Sequence, residues 1–324
     1  MNNILLSIRN LKKYFATKYG MLHAVDDVSF DIKRGSTLGV VGESGCGKST
    51  LGRVILHLLD RTSGKIFFEG EDISDASKEK IYNLRKNMQV IFQDPFSSLD
   101  PRMSVREIIG EPLDIYRICK TRVEYDKKIK EVMDIVGLAS RLENSYPHEL
   151  DGGRRQRIGI GRALILNPKF IVCDEPVSAL DVSIQAQILN LMQDLQAARN
   201  LTYIFITHNL SVVRHISDEI AVMYLGVLVE KAKARELFKT TLHPYTKALI
   251  SAIPRIRRDD SRNRIILKGE LTSPINPPSA CRFALRCNYV REICMNETPE
   301  LIEVKNGHFV ACHLTKEINK DLLS

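Results

Sequence analysis

Apolar and polar positions alternate loosely over residues 5–10 and again over 28–32, the two-residue period of strands, with a turn-rich segment between them. Residues 37–41 form a short apolar run closed by glycine, as a buried strand would be, and 49–59 predict a helix behind it. Residues 88–92 predict another strand, ending at Gln93-Asp-Pro. From there to about residue 150 the pattern is mainly helical, most clearly over 127–136. Residues 169–173 and 202–207 are compact apolar strands, and between them Ile184, Ile188, Leu191, Met192 and Leu195 mark one face of an amphipathic helix. Strands alternating with helices predict an α/β fold on a mostly parallel sheet.

The 324 residues suggest roughly two domains. A hydrophobic share of 44% and a charged share of 27% exclude disorder, collagen and coiled coil, since such a chain buries a sizeable core. No motif recurs. The apolar stretch 221–229 is far short of the ~20 residues a membrane-spanning helix needs. The first residues lack the basic run, apolar segment and small-residue cleavage site of a secretory signal, so a cytosolic chain is expected unless a partner holds it to a membrane. The net charge of +8 is compatible with nucleic acid, anionic lipid or a phosphate ligand and selects none of them. Composition shifts after residue 253: residues 254–270 hold five arginines, one lysine and three acids, a basic linker ahead of a proline-rich turn and a cysteine-containing segment, 271–324.

Candidate chemistry begins at Gly42, Glu43, Ser44, Gly45, Cys46, Gly47, Lys48, Ser49 and Thr50, which fit G-x-x-x-x-G-K-[ST] between a strand and a helix. Glycines let backbone N–H groups close around a phosphate, and the helix presents its positive end. Lys48 is placed for the β- and γ-phosphates and the Ser49 hydroxyl for Mg²⁺. A second apolar strand ends in Asp174, an acid for Mg²⁺, followed by Glu175, which can orient or deprotonate an attacking water.

The order of that loop, Gln93, Leu150-Asp-Gly-Gly-Arg-Arg-Gln-Arg157, the strand ending in Asp174, Ser178-Ala-Leu-Asp181 and His208 resembles the ATP-binding subunits of ABC transporters. The resemblance implies a P-loop (RecA-like) nucleotide-binding domain over 4–253, with a helical subdomain at about 94–157. It also implies that two such chains pair head to tail, each ATP lying between one P-loop and the other chain's signature motif. Gln93 would then contact Mg²⁺, His208 the γ-phosphate, and Phe15, with Tyr14 as the alternative, would stack on adenine. Asp151, Gly152, Gly153, Arg154 and Asp181 would act on the partner chain's site. The signature ordinarily reads Leu-Ser-Gly-Gly-Gln; here Asp151 and Arg154 replace the serine and the glutamine. Either the carboxylate weakens the site it completes, or the neighbouring arginines compensate it.

Tyr146-Pro-His-Glu-Leu, Cys173-Asp-Glu-Pro-Val-Ser-Ala-Leu-Asp and Leu242-His-Pro-Tyr-Thr-Lys-Ala-Leu resemble the oligopeptide/dipeptide importer branch, and Ile91-Phe-Gln-Asp-Pro favours its F-type ATPase. That implies a D-type ATPase partner, two membrane permeases, an external binding protein and a peripheral position on the cytoplasmic side of the cell membrane. Nickel or sugar cargo and a soluble ABC ATPase outside transport are the alternatives, and no nucleic-acid partner is expected. Seven cysteines, an odd number in a chain without an export signal, argue against disulfides. Cys281, Cys287, Cys294 and Cys312 have gaps of five, six and seventeen residues, unlike a zinc ribbon. By resemblance to relatives they would hold a 4Fe–4S cluster, with Zn²⁺ and unligated cysteines as the other readings. A cluster would also staple together a segment that has few large apolar side chains.

Overall fold

The computed structural model describes residues 3–94, 98–253, 264–267, 269 and 273–323. The chain divides into two compact units, Met1–Lys33 with Thr37–Asp75 and Phe205–Ser324, and Arg34–Ser36 with Ala76–Ile204. Most of the basic linker at 254–270 lies outside the described residues.

The first unit opens on β1 (Ile4–Thr17) and β2 (Gly20–Lys33), an antiparallel hairpin with Ser7 opposite Asp31 and Phe15 opposite Leu22. The alternation at 5–10 and 28–32 marks only the base of these strands. Register shifts between Ile8 and Tyr14 break the period, so the rest of the hairpin does not read as strand. β3 (Thr37–Val41), buried at every residue, runs into α1 (Lys48–Ile55). β4 (Ser63–Phe68) and β5 (Glu71–Asp72) complete a sheet of order β2-β1-β4-β5. Leu6, Ile8, Leu11, Val28 and Ile66 form its buried face.

The second unit contains α2 (Lys78–Leu84), β6 (Met88–Ile91), α3 (Val105–Ile115), α4 (Arg122–Ile135), α5 (Gly152–Leu164), β7 (Phe170–Asp174) and α6 (Val182–Arg199). β6 lies parallel to β7, with Ile91 beside Cys173. Each of these helices starts at a side-chain cap: Ser77, Ser104 in a reciprocal box with Glu107, Thr121, Asp151 and Asp181. Ile109, Ile129, Val132 and Ile158 pack α3, α4 and α5 into an apolar core.

The division between the units falls within β8 (Thr202–Thr207). The first unit then continues with α7 (Leu210–Ile216), β9 (Glu219–Tyr224) and β10 (Val227–Lys233). The apolar stretch at 221–229 is therefore a hairpin, turned at Leu225 and Gly226, and β9 runs parallel to β3. No described helix is long and apolar enough to cross a membrane. α8 (Ala234–Lys239), α9 (Pro244–Ser251), α10 (Glu292–Asn296), β11 (Ile302–Lys305) and β12 (His308–Val310) come next, and β12 pairs antiparallel with β10.

The C-terminal segment thus joins the core of the first unit. Phe283, 2% exposed, meets Tyr224 and Tyr245 at centroid distances of 5.3 and 5.5 Å. Glu230, fully buried, accepts from the amides of Leu242 (2.8 Å) and His243 (3.1 Å), and lies 2.8 Å from His308 Nε2. His243 caps α9 by accepting from the Tyr245 amide at 3.1 Å. Burial lowers the His243 imidazole from 6.5 to about 4.

The unfolded chain takes up a proton near pH 6.5 that the folded imidazole refuses until about pH 4. Stability is therefore expected to decline as pH falls through that window, by on the order of 2–3 kcal/mol. His243→Asn keeps a capping side chain and removes the titration. Urea midpoints at pH 7 and pH 5 measure the effect, and an acid dependence equal in the variant and the parent would assign it elsewhere.

Candidate functional site

Within the first unit, residues 42–50 wrap the start of α1. Gly47 adopts φ +104, and a Cβ there would lie 1.9 Å from the Ala24 carbonyl oxygen of β2. A Cβ on Gly42 would lie 2.2 Å from the Met223 carbonyl oxygen of β9, so both glycines are demanded by backbone approaching backbone. Gly226 donates its amide to the Cys46 carbonyl at 3.0 Å, closing the loop from a third side. Lys48, 5% exposed, donates from Nζ to the carbonyls of Gly42 and Glu43, both at 2.9 Å, and lies 3.8 Å from Cys46 Sγ. Burial pushes the Cys46 thiol up, so it stays neutral beside that ammonium. Ser44 and Gly45 are exposed, while Ser49 and Thr50 are half-buried in the first turn of α1. Gly47 has no side chain with which to cap that turn, so the arrangement suits an anion at a helix N-terminus.

Tyr14 and Phe15 sit side by side on β1 and point to opposite faces. Tyr14 donates its hydroxyl to Asp26 and stacks on His23 at 3.8 Å. Asp26 also lies 2.9 Å from His23 Nδ1 and pairs with Arg282 of the C-terminal segment at 2.5 Å; against the upward push of burial, His23, Tyr14 and Arg282 together hold its carboxyl below the usual range. Phe15 is half-buried, with Lys13 Nζ 4.7 Å from its ring centre. His208 comes directly after β8 and is exposed.

In the second unit, β7 carries Asp174 to its end, where the side chain is 5% exposed after four apolar or sulfur-bearing residues. Glu175 then takes φ +47, a left-handed conformation that costs a side-chain-bearing residue roughly 1–2 kcal/mol. Its carbonyl accepts from the Ser178 amide at 3.2 Å and the Ser178 hydroxyl at 3.1 Å, which holds the turn. Gln93 donates from Nε2 to the Glu175 carboxylate at 3.1 Å, so two residues 82 positions apart form one cluster.

Asp151 caps α5 by accepting from the Arg154 amide at 2.8 Å, and the Arg154 guanidinium lies 3.4 Å from the other carboxylate oxygen. Asp181 caps α6 in the same way through the Ile184 amide at 2.9 Å. Gly152 and Gly153 pack closely against Leu180 and Ile184: a Cβ on Gly153 would lie 2.7 Å from Ile184 Cγ2, and one on Gly152 3.2 Å from Leu180 Cδ2.

The metal reading of Cys281, Cys287, Cys294 and Cys312 is overturned, for the 4Fe–4S cluster and for zinc alike. Among the described residues no group of three or more His, Cys, Asp or Glu side chains is placed to hold a metal ion. The four are free thiols that pack as small apolar groups, Cys294 against Ala284 and Leu314 with Cys281 and Cys312 beside them. Burial pushes Cys281 up to about 12 and raises Cys287 and Cys312. The staple expected of a cluster is supplied by Phe283 and the β10–β12 pairing.

Sequence reasoning missed Tyr245, which receives the Glu43 amide at 2.9 Å, and Arg286, which pairs with the Glu43 carboxylate at 2.7 Å. No local pattern could have linked residues 202 and 243 positions apart.

The ABC transporter family model matches residues 25–178, and the model for the oligopeptide/dipeptide transporter C-terminal region matches 229–294. The oligopeptide transport ATP-binding protein AppF of Bacillus subtilis (strain 168) is 53% identical over 320 residues, covering 96% of this chain and 97% of its own. OppF of the same organism, also described as an oligopeptide transport ATP-binding protein, is 51% identical over 313 residues, 96% and 97% of the two chains. A dimeric post-hydrolysis structure of the ATP-binding cassette MJ0796 bound to ADP and Pi matches with a TM-score of 0.65 and 28% identity, over 71% of this chain and 99% of that one. The chain belongs to the ABC-transporter ATP-binding subunits, in the F-type group of the oligopeptide importer branch.

Proposed function

We propose that this subunit binds ATP with Mg²⁺ and hydrolyses it to power import of di- or oligopeptides. It would do so beside a second, D-type ATPase and under two permeases fed by an external binding protein, docked on the cytoplasmic side of the cell membrane. The observation that carries the reading is the loop at 42–50, in which a buried Lys48 is parked on two carbonyls of its own loop. The relatives are named for oligopeptide transport, which favours peptides over nickel or sugars and over a role outside transport. The matched C-terminal model, which begins in β10, favours the same branch.

Lys48 would exchange its carbonyl partners for β- and γ-phosphate oxygens, and the first-turn amides of α1 would close on the β-phosphate. Tyr14 is engaged by Asp26, which favours Phe15 as the ring that stacks on adenine. Mg²⁺ would neutralise charge on the phosphates. Ser49, Gln93 and Asp174 offer oxygen donors of the kind it takes, and the burial of the Asp174 carboxylate suits a cation. Glu175 would take a proton from water as its oxygen attacks the γ-phosphorus and the bond to the β–γ bridging oxygen breaks, releasing ADP and phosphate. The left-handed backbone at Glu175 and its hydrogen bond from Gln93 support this role, since strain of this kind collects at working residues. His208 would contact the γ-phosphate. Asp151, Gly152, Gly153, Arg154 and Asp181 would complete the partner's site, and the Asp151 carboxylate already has a helix amide and a guanidinium to balance it.

Glu175→Gln is expected to retain ATP binding and slow hydrolysis by roughly 10²–10⁴, with the ATP-bound dimer accumulating. Steady-state phosphate release from the assembled complex, with the second ATPase's own site disabled, measures this, and an undiminished rate rejects the assignment. Asp151→Ser preserves the cap and removes a balanced charge, so hydrolysis should change less than about threefold. A rise of an order of magnitude in the same assay would instead identify the carboxylate as a brake on the partner's site.

A further inference from the structure

Resting on the nucleotide site proposed above, we infer that Arg286 of the C-terminal segment is a positioning residue for the phosphate loop, because it neutralises Glu43, an acid carried by the loop itself. Glu43 is the second residue of the loop, immediately after Gly42. Its carboxylate lies in a structure whose chemistry is to hold a polyanion, and without a partner it would oppose that ligand. Arg286 meets it with two parallel bonds, Nη1 to Oε2 at 2.7 Å and Nη2 to Oε1 at 3.2 Å, the fork geometry that a guanidinium supplies and an ammonium does not.

The pair is not a surface bridge. The Arg286 side chain is 9% exposed and that of Glu43 27%, so solvent screens it far less than an exposed pair. Arg286 Nη1 also reaches the Tyr224 hydroxyl at 3.4 Å. Arg286 closes the short helical turn Ala284–Arg286, directly after Phe283, which is packed edge-on against Tyr224. The guanidinium is therefore delivered from a rigid seat. Glu43 is held at three points: its carboxylate by Arg286, its amide by the Tyr245 hydroxyl at 2.9 Å and its carbonyl by Lys48 Nζ at 2.9 Å. Two of those holds come from beyond residue 240. The C-terminal region thereby belongs to the electrostatics of the phosphate site, and any change that disturbs its docking should alter nucleotide affinity.

The test is binding of ATP, ADP and adenosine by the full chain, measured calorimetrically for the parent, Arg286→Gln, Glu43→Gln and the double variant. Arg286→Gln is expected to weaken ATP about tenfold, ADP less and adenosine not measurably, because the exposed repulsion scales with ligand charge. Adding Glu43→Gln to Arg286→Gln removes that repulsion and should return ATP affinity to within about threefold of the parent. Arg286→Lys, which restores charge without the fork, should fall between. A uniform loss across all three ligands, or a double variant no tighter than Arg286→Gln, overturns the inference in favour of a merely structural contact. Lys48→Ala separates the site from the role of Arg286. If it abolishes ATP binding while Arg286→Gln binds like the parent, the site stands and the role of Arg286 falls; if Lys48→Ala binds like the parent, both fall.

Discussion

A buried ammonium ion organises the first unit. Lys48 is 5% exposed, and at that depth a charge must have acceptors within reach. The loop turns two of its own carbonyls, those of Gly42 and Glu43, toward it. They can turn inward only because two neighbouring strands press on the loop where it has no side chains, the Ala24 carbonyl of β2 against Gly47 and the Met223 carbonyl of β9 against Gly42. β9 in turn lies in register with β3, the strand that delivers the loop, with Val41 opposite Val222. The geometry of a nine-residue motif therefore depends on strand pairings distant from it in sequence. The lysine's carbonyl partners are also replaceable, since a phosphate oxygen offers a stronger acceptor to the same ammonium.

In the second unit the constraint is of another kind. β7 is buried along its whole length, which fixes its direction and leaves the chain to reverse abruptly after Asp174. Glu175 absorbs that reversal in a left-handed backbone, and the two bonds from Ser178 to its carbonyl keep it there. A short strained turn delivers a carboxylate with little freedom, which the proposed role in orienting water would require. The helices around it start where capping residues allow. Asp151 is instructive: a replacement that looks electrostatically hostile in a signature motif is also a strong N-cap, and the helix it opens stabilises a negative charge at that end.

The parts of the fold that are legible in the sequence and the parts that are not divide along one physical line. Thr37–Val41, Thr202–Thr207 and the helix over Ile184 to Leu195 are legible because each carries a burial pattern complete within itself. The G-x-x-x-x-G-K-S-T run and the acid-tipped strand are legible because backbone geometry dictates their residues locally. The N-terminal hairpin is only half legible, since its bulges shift the side-chain alternation between Ile8 and Tyr14. The apolar run at 221–229 gives no sign of its bend, because the turn at Leu225 and Gly226 lacks a polar loop. The cluster of Gln93 and Glu175 is visible only as an order of motifs; the contact itself is tertiary.

The cysteine segment shows why composition misleads when partners are remote. Four thiols among few large apolar residues invite a metal as the missing core, yet the core is borrowed: one phenylalanine enters the aromatic group of β9 and α9, and a three-residue strand pairs with β10. Once docked, the thiols pack as small apolar groups, Cys294 against Ala284 and Leu314 with Cys281 and Cys312 beside it. Two residues with electrostatic consequence in this stretch are the arginines at its turns, Arg282 against Asp26 and Arg286 against Glu43. Nothing in their local sequence marks them, because an arginine's role is decided by the acid it meets. Both acids lie in the first unit, Asp26 on β2 and Glu43 in the loop before α1, so the segment's arginines are matched to acids more than 240 positions away that no local pattern could have named.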